Sequence, residues 1–267
     1  MFNKRLTLLL PYFSIAILFI LMPMVFLVIK AFAPVSEEFD NWQLVKMPTT
    51  WVVMGRSILV GLASATFCLL IGFAYAYFSA RSTSKMFRIF ALSFLVSPLF
   101  VFTIVKVLAL KGLLLAIFDE SSLNNLGVLI LGLTYLNLPF MIIPLYSVLL
   151  SMPRSLIEAS EDLGVNRFLT IWRVVIPYTL RALAAGFALV FMLAATSIIV
   201  SEKLIPMRES YKLIGNFMDN ARIRTKAPDG ALGSTIALIT IVVMMSIYGL
   251  IYLGPTFWRK LRGGINV

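Results

Sequence analysis

Six continuously apolar stretches organise this sequence, at residues 8–29, 57–78, 89–110, 126–150, 182–200 and 232–253. Each holds roughly 20 residues or more, enough to cross a hydrocarbon layer of about 30 Å as an α-helix. Inside lipid a backbone has no water to bond, so only helices and closed barrels can cross. A barrel would show alternating segments about half this length. Continuous runs therefore predict an all-α membrane protein with six transmembrane helices. With 60% of its residues apolar and only 13% charged, the chain has too little polar surface to cover a water-soluble globule.

Lys4 and Arg5 precede the first run as they would in a secretory signal. The run is too long for a signal core, and Lys30-Ala31-Phe32-Ala33 is a poor small-residue cleavage site, so the segment is expected to remain as a span. Cys68 is the only cysteine, which rules out a disulfide within the chain, and histidine is absent. The commonest metal ligand and the usual acid–base side chain near neutral pH are thus missing. No acid lies well inside a run, so a membrane-embedded enzyme, which needs paired carboxylates, a Ser/His pair or a metal cluster, is a remote alternative.

The net charge of +11 reads as topology rather than as affinity for nucleic acid, and no nucleic-acid partner is expected. With the N-terminus inside, the inner segments (1–7, 79–88, 151–181 and 254–267) hold Lys4, Arg5, Arg81, Lys85, Arg88, Arg154, Arg167, Arg173, Arg181, Arg259, Lys260 and Arg262. Their only acids are Glu158, Glu161 and Asp162. The outer segments hold Glu37, Glu38, Asp40, Asp119, Glu120, Glu202, Glu209, Asp219 and Asp229, and the first two segments also carry Lys30, Lys46, Arg56 and Lys111, so their charge is roughly balanced against the basic inner segments. This bias follows the positive-inside rule and places both termini in the cytoplasm. The outer loop 201–231 is the exception, with Lys203, Arg208, Lys212, Arg222, Arg224 and Lys226. In the same loop Tyr211, Leu213, Ile214, Phe217 and Met218 are apolar at helical spacing, predicting a short amphipathic helix over 211–221. Pro23, Pro98, Pro139 and Pro144 fall within runs, where they remove backbone hydrogen bonds and permit kinks. No soluble domain interrupts the chain, which reads as one transmembrane domain over 1–267.

The segment from Met152 to Pro177 carries the functional inference. Ser155 is expected to cap a short helix, with Glu158 completing a capping box. Gly164 is placed to end that helix in a left-handed conformation, and Asn166 to cap a second helix running towards Pro177. Leu156, Ala159, Ser160 and Leu163 give the first helix an apolar face with small residues, while Glu158, Glu161 and Asp162 carry its charge. Taken alone, these residues fit either an amphipathic connector or a knob that docks into a groove on another protein.

The pattern goes further. Glu158-Ala159-Ser160, then Gly164 six residues after Glu158, then Ile176-Pro177 beginning twelve residues after Gly164, resembles the Glu-Ala-Ala loop of binding-protein-dependent ABC importer permeases. Ser160 departs from the family's second alanine, and Ile176 from the leucine that often precedes the proline. From about Arg56 onwards, with the core five spans at 57–254, the chain looks closest to the B-type permease of spermidine/putrescine transporters. Leu138-Pro139-Phe140-Met141-Ile142-Ile143-Pro144-Leu145-Tyr146, the loop at 151–181 and Leu213-Ile214-Gly215-Asn216 carry that likeness.

The resemblance implies a type I ABC importer (MetI-like) permease fold in the bacterial cytoplasmic (inner) membrane. Its partners would be a second homologous permease, two copies of a cytoplasmic ATPase, an extracytoplasmic substrate-binding protein and the surrounding lipid. ATP and Mg would bind the ATPase; this chain would hold no cofactor and catalyse no covalent step. Glu158, Ala159, Ser160, Leu163 and Gly164 would form the ATPase-coupling helix and its stop. A polyamine needs carboxylates and aromatic faces. Tyr135, Phe140, Tyr146 and Asp219 are candidates for its path, with Tyr75, Tyr77, Glu202 and Asp119 behind them. Lys106 argues for the alternative, an anion such as sulfate or a phosphonate, unless it snorkels to the interface.

Overall fold

The computed structural model describes residues 11–33, 40–205, 211–224 and 231–261. Of the charged residues counted above, Lys4, Arg5, Glu37, Glu38, Arg208, Glu209, Lys226, Asp229 and Arg262 lie outside them. Among the described residues all regular secondary structure is helical. Five helices are long and apolar enough to cross a membrane: α1 Pro11–Phe32, α2 Pro48–Arg81, then α5, α7 and α10 below. The third apolar run is a bent pair instead, α3 Lys85–Phe100 and α4 Thr103–Leu115, folded by 103°. There follow α5 Leu126–Ser151, α6 Ser155–Asp162, α7 Arg167–Ala195, α8 Ile199–Lys203, α9 Ile214–Arg224 and α10 Ala231–Leu261.

Prolines explain most departures from regular helix. Pro98 removes a helical donor; the chain tightens into a 3₁₀ turn at Ser97–Phe100, and Val101 and Phe102 then run extended before α4 begins. The straight third span expected from hydropathy is therefore broken at its middle. Pro23 and Pro177 are accommodated differently, each just after a five-residue π-helical turn, Ile17–Leu21 and Ile171–Val175. Widening the turn relieves the clash between a proline ring and the carbonyl four residues earlier. Pro139 and Pro144 leave α5 uninterrupted. Because Pro177 is absorbed in this way, the second loop helix and the fifth span, expected as separate elements, are the single helix α7.

The chain sorts into two compact units. In the unit of residues 1–52 and 217–243, Asn41 Nδ2 donates to the carbonyls of Ala31 and Ala33 at 3.3 and 2.7 Å, satisfying acceptors at the end of α1. Thr235 Oγ1 donates to Asn41 O at 2.9 Å, and Phe32 packs on Trp42 with ring centroids 5.2 Å apart. Outside the spans, Lys46 and the Trp42 amide hold the Asp40 carboxyl below the usual range. A depressed carboxyl favours the fold above its unfolded pKa and loses that contribution as pH falls through the folded value.

In the unit of residues 53–216 and 244–267, α5 packs along α7, and Val60, Val107, Leu129, Leu133, Ala194, Val200 and Leu213 join one buried core. At the crossing of α2 and α7, a Cβ on Gly61 would lie 2.9 Å from Ala195 Cβ and 3.1 Å from the Phe191 carbonyl. Small residues are what let membrane helices approach this closely. Buried hydroxyls bond back to their own helix: Ser57 to Val53 O at 2.9 Å, Thr134 to Ile130 O at 2.7 Å and Thr179 to Val175 O at 2.9 Å.

The segment Leu213-Ile214-Gly215-Asn216 is pinned at backbone level. The Ile214 N–H donates to Ser57 Oγ at 2.7 Å, and Asn216 Nδ2 donates to Ile198 O at 3.0 Å while its Oδ1 accepts from Ser201 Oγ. A Cβ on Gly215 would collide with the Thr196 carbonyl. The helix expected to start at 211 accordingly starts at Ile214, and among its described side chains burial is deepest at Ile214 and Asn216. Ser57→Ala leaves the buried Ile214 N–H without an acceptor and is expected to cost about 1–3 kcal/mol. Thermal unfolding in detergent checks this, with exposed Ser147→Ala as the near-neutral comparison.

Candidate functional site

The loop between α5 and α7 is built as a rigid corner. Pro153 opens it, and the N–H groups of Leu156 and Ile157 take the carbonyls of Pro153 and Arg154 at 3.4 and 2.9 Å. Arg154 already has helical dihedrals, so Ser155 is the first residue of α6 rather than its cap, and no side chain caps this end. The expected capping box between Ser155 and Glu158 does not form, because the proline turn supplies the start instead.

The other end matches its expectation in detail. Gly164 has φ +77°, its N–H donates to Glu161 O at 2.8 Å, and the Val165 N–H donates to Ser160 O at 3.2 Å. These two bonds are the Schellman pair that satisfies the last carbonyls of a helix. No atom lies within 4 Å of where a Gly164 Cβ would sit, so glycine is required for its torsion and not for space. Asn166 Oδ1 then accepts from the Phe168 N–H at 3.1 Å, capping α7 as expected.

Two side-chain bonds close the corner. Ser160 Oγ and Thr170 Oγ1 are buried together at 3.0 Å, and Arg167 Nε meets Glu161 Oε1 at 3.3 Å on the exposed side. Ser160 thus points into the corner and holds its two arms together. Glu158, Ala159, Leu156 and Leu163 point outward, Leu163 with 83% of its surface exposed. Phe168 and Trp172 extend this exposed apolar surface onto the first turns of α7, their rings 6.4 Å apart. The sequence reading missed this pair, although aromatics spaced four apart near a helix start are a signal for it.

The residues named for a substrate path differ in exposure and fall in two compact units. Tyr135 and Phe140 are exposed on α5, at 49% and 37%, whereas Tyr146 is buried in the same helix, at 9%. Asp219 is half-buried on α9, in the unit of residues 217–243. The Tyr75 hydroxyl is engaged with Ala91 O at 2.7 Å, joining α2 to α3. Glu202 pairs with its neighbour Lys203 at 3.0 Å, and Asp119 is exposed. Lys106 is half-buried one turn past the α3–α4 break, and no described carboxylate pairs with it. Among the described residues no three His, Cys, Asp or Glu side chains gather as metal ligands.

Residues 68–253 match the family described as binding-protein-dependent transport system inner membrane component. The spermidine/putrescine transport system permease protein PotB homolog of Mycoplasma genitalium is 28% identical over 272 residues, covering 97% of this chain and 94% of its own. PotB of Escherichia coli K12 is 28% identical over 250 residues, 87% of this chain and 86% of its own. In fold, the chain is similar to a subunit of a bacterial alginate ABC transporter in complex with its oligosaccharide-bound periplasmic protein. That likeness has a TM-score of 0.74 at 14% identity and covers 99% of this chain and 96% of that one. The chain belongs to the family of binding-protein-dependent transport system inner membrane components.

Proposed function

We propose that this chain is one of two permeases lining the pore of an ATP-driven polyamine importer, and that α6 is its coupling helix. The observation that carries the coupling role is the corner at Gly164. An exposed, apolar-tipped helix is joined through a hydrogen-bonded turn to α7, which continues as one 29-residue helix from Arg167 to Ala195. Leu156, Ala159 and Leu163 insert into a groove on a cytoplasmic ATPase, and Glu158 contributes charge at its edge. When the ATPases close on ATP and Mg, α6 is displaced. The Schellman bonds and the Ser160–Thr170 pair keep the corner from yielding, so the displacement passes into α7 and rocks the spans around the pore. Chemistry stays on the ATPase, and this chain makes and breaks no covalent bond.

Polyamine as substrate is supported by the likeness to spermidine/putrescine permeases over most of the chain. Tyr135, Phe140, Tyr146 and Asp219 are the proposed contacts, with an extracytoplasmic binding protein delivering the cation. In this reading the corner and both termini lie in the cytoplasm, as the charge bias of the described inner segments favours. Lys106 favours a second reading: a half-buried ammonium beside a broken span suits an anion such as sulfate or a phosphonate.

Uptake of labelled spermidine by the assembled transporter in vesicles tests the first reading. Transport that requires this chain and is inhibited by putrescine but not by sulfate is the expected outcome, and no spermidine uptake by the properly assembled transporter moves the substrate to the anionic reading. Gly164→Leu puts a side chain where φ is positive, costing about 1–2 kcal/mol at the turn. It is expected to abolish uptake while ATP hydrolysis persists, and normal uptake by this variant overturns the coupling role. Ser160→Ala keeps the Thr170 hydroxyl bonded to Asn166 O at 3.3 Å, so it is expected to lower stability by no more than about 1 kcal/mol and to reduce uptake only in part, because the Schellman bonds at Gly164 still hold the corner.

A further inference from the structure

The C-terminal end of α7 is held from outside its own helix. In the turn that joins α7 to α8, the Ile198 carbonyl accepts Asn216 Nδ2 at 3.0 Å, and Asn216 Oδ1 takes the Ser201 hydroxyl of α8. Gly215 lies so close to the Thr196 carbonyl that a Cβ there would collide with it. The same short segment also holds α2, through the Ile214 N–H on Ser57 Oγ at 2.7 Å. Ser57, Ser201 and Asn216 are all buried, so parting any of these contacts strands a polar group away from water.

Position gives this grip its meaning. Ser57 lies one turn before Gly61, where α2 crosses α7 against Phe191 and Ala195. A crossing made through glycine brings the two backbones close but offers no side chain from α2 to interlock with α7. Leu213 supplies the missing contact, joining Val60 of α2 and Ala194 of α7 in one buried core. The 29 residues of α7 rise about 43 Å from the corner at Gly164 to this grip. Corner and grip are therefore the two ends of one lever.

We propose that residues 213–216 are a clasp that makes α2 and the C-terminal end of α7 move as one body, with Ser201 and Asn216 as its positioning residues. The inference rests on the coupling role of α6: displacement entering α7 at the corner is passed on to α2 only when the far end of α7 cannot turn against it. The clasp stays closed through the transport cycle, since each of its polar contacts is buried and has no water to replace the lost partner. It is independent of which solute is carried.

Two readouts on the assembled transporter in vesicles test the clasp. Hydrogen exchange reads the amides of residues 213–216, which are expected to stay equally protected without nucleotide and with a non-hydrolysable ATP analogue. Loss of protection with the analogue makes the segment a latch that opens, and overturns the clasp. Uptake per ATP hydrolysed is the second readout, with labelled spermidine, or labelled sulfate where the anionic reading holds. Asn216→Ala is expected to lower this ratio about tenfold, as the loss of a buried hydrogen-bonded tie. Thr179→Ala, which removes a buried hydroxyl bonded to Val175 and Ile176 of its own helix, should leave the ratio unchanged. Should Asn216→Ala fail to insert, Ser201→Ala is read in its place, with a fall in the ratio again expected. A ratio equal to wild type overturns the proposal, and uptake and hydrolysis falling together assign the segment a purely structural role and likewise overturn it. Gly164→Leu is measured alongside. Normal coupling in that variant with Asn216→Ala uncoupled removes the corner and keeps the clasp, and the reverse pair removes the clasp alone.

Discussion

A backbone that enters lipid must find every hydrogen bond within protein, and the irregular parts of this chain are the places where that demand was met in an unusual way. Pro23 and Pro177 are preceded by π-helical turns that keep their helices continuous, while Pro98 leads into a 3₁₀ turn and a true break. Ser57, Thr134 and Thr179 return their hydroxyls to their own helices. Ser57 also accepts the Ile214 N–H, a helix-start donor that would otherwise be buried unpaired. One hydroxyl thus supports both a span and the loop that folds over it.

The same economy governs the proposed coupling corner. A serine where related loops place a second alanine puts a hydroxyl in a buried position, where an unpaired polar group is costly. Thr170 supplies the partner, and the departure from pattern becomes a bond between the two arms. Together with the Schellman turn at Gly164, this leaves little slack between α6 and α7. A corner that transmits displacement needs that property, because strain stored in a soft hinge would not reach the spans.

Charge is distributed with similar purpose around the ends of the helices. Lys46 and Asp40 answer one another outside the spans, as do Arg167 and Glu161. Among the described residues, neither Arg81 nor Arg154 forms an ion pair with an acid. Lys106 has no described carboxylate partner and is set beside the broken span, where its consequence depends on what passes through the pore.

Much of this protein was legible in its residues. Continuous apolar length required helices, Gly164 required a left-handed stop because no other residue adopts that torsion cheaply, and Asn166 required a cap because its side chain reaches the amide two residues on. These are local effects, decided within a few residues along the chain. The Ser155 cap failed as an expectation because Pro153 had already turned the chain, a competition between two local signals that spacing cannot rank. Tertiary structure alone decided that the third run bends by 103°, that α7 absorbs Pro177 and runs unbroken, that Ser160 faces Thr170, and that Leu213-Ile214-Gly215-Asn216 is pinned by Ser57, Ile198 and Ser201. In each case the deciding partner is set by packing between elements distant along the chain, which the pattern within one segment does not record.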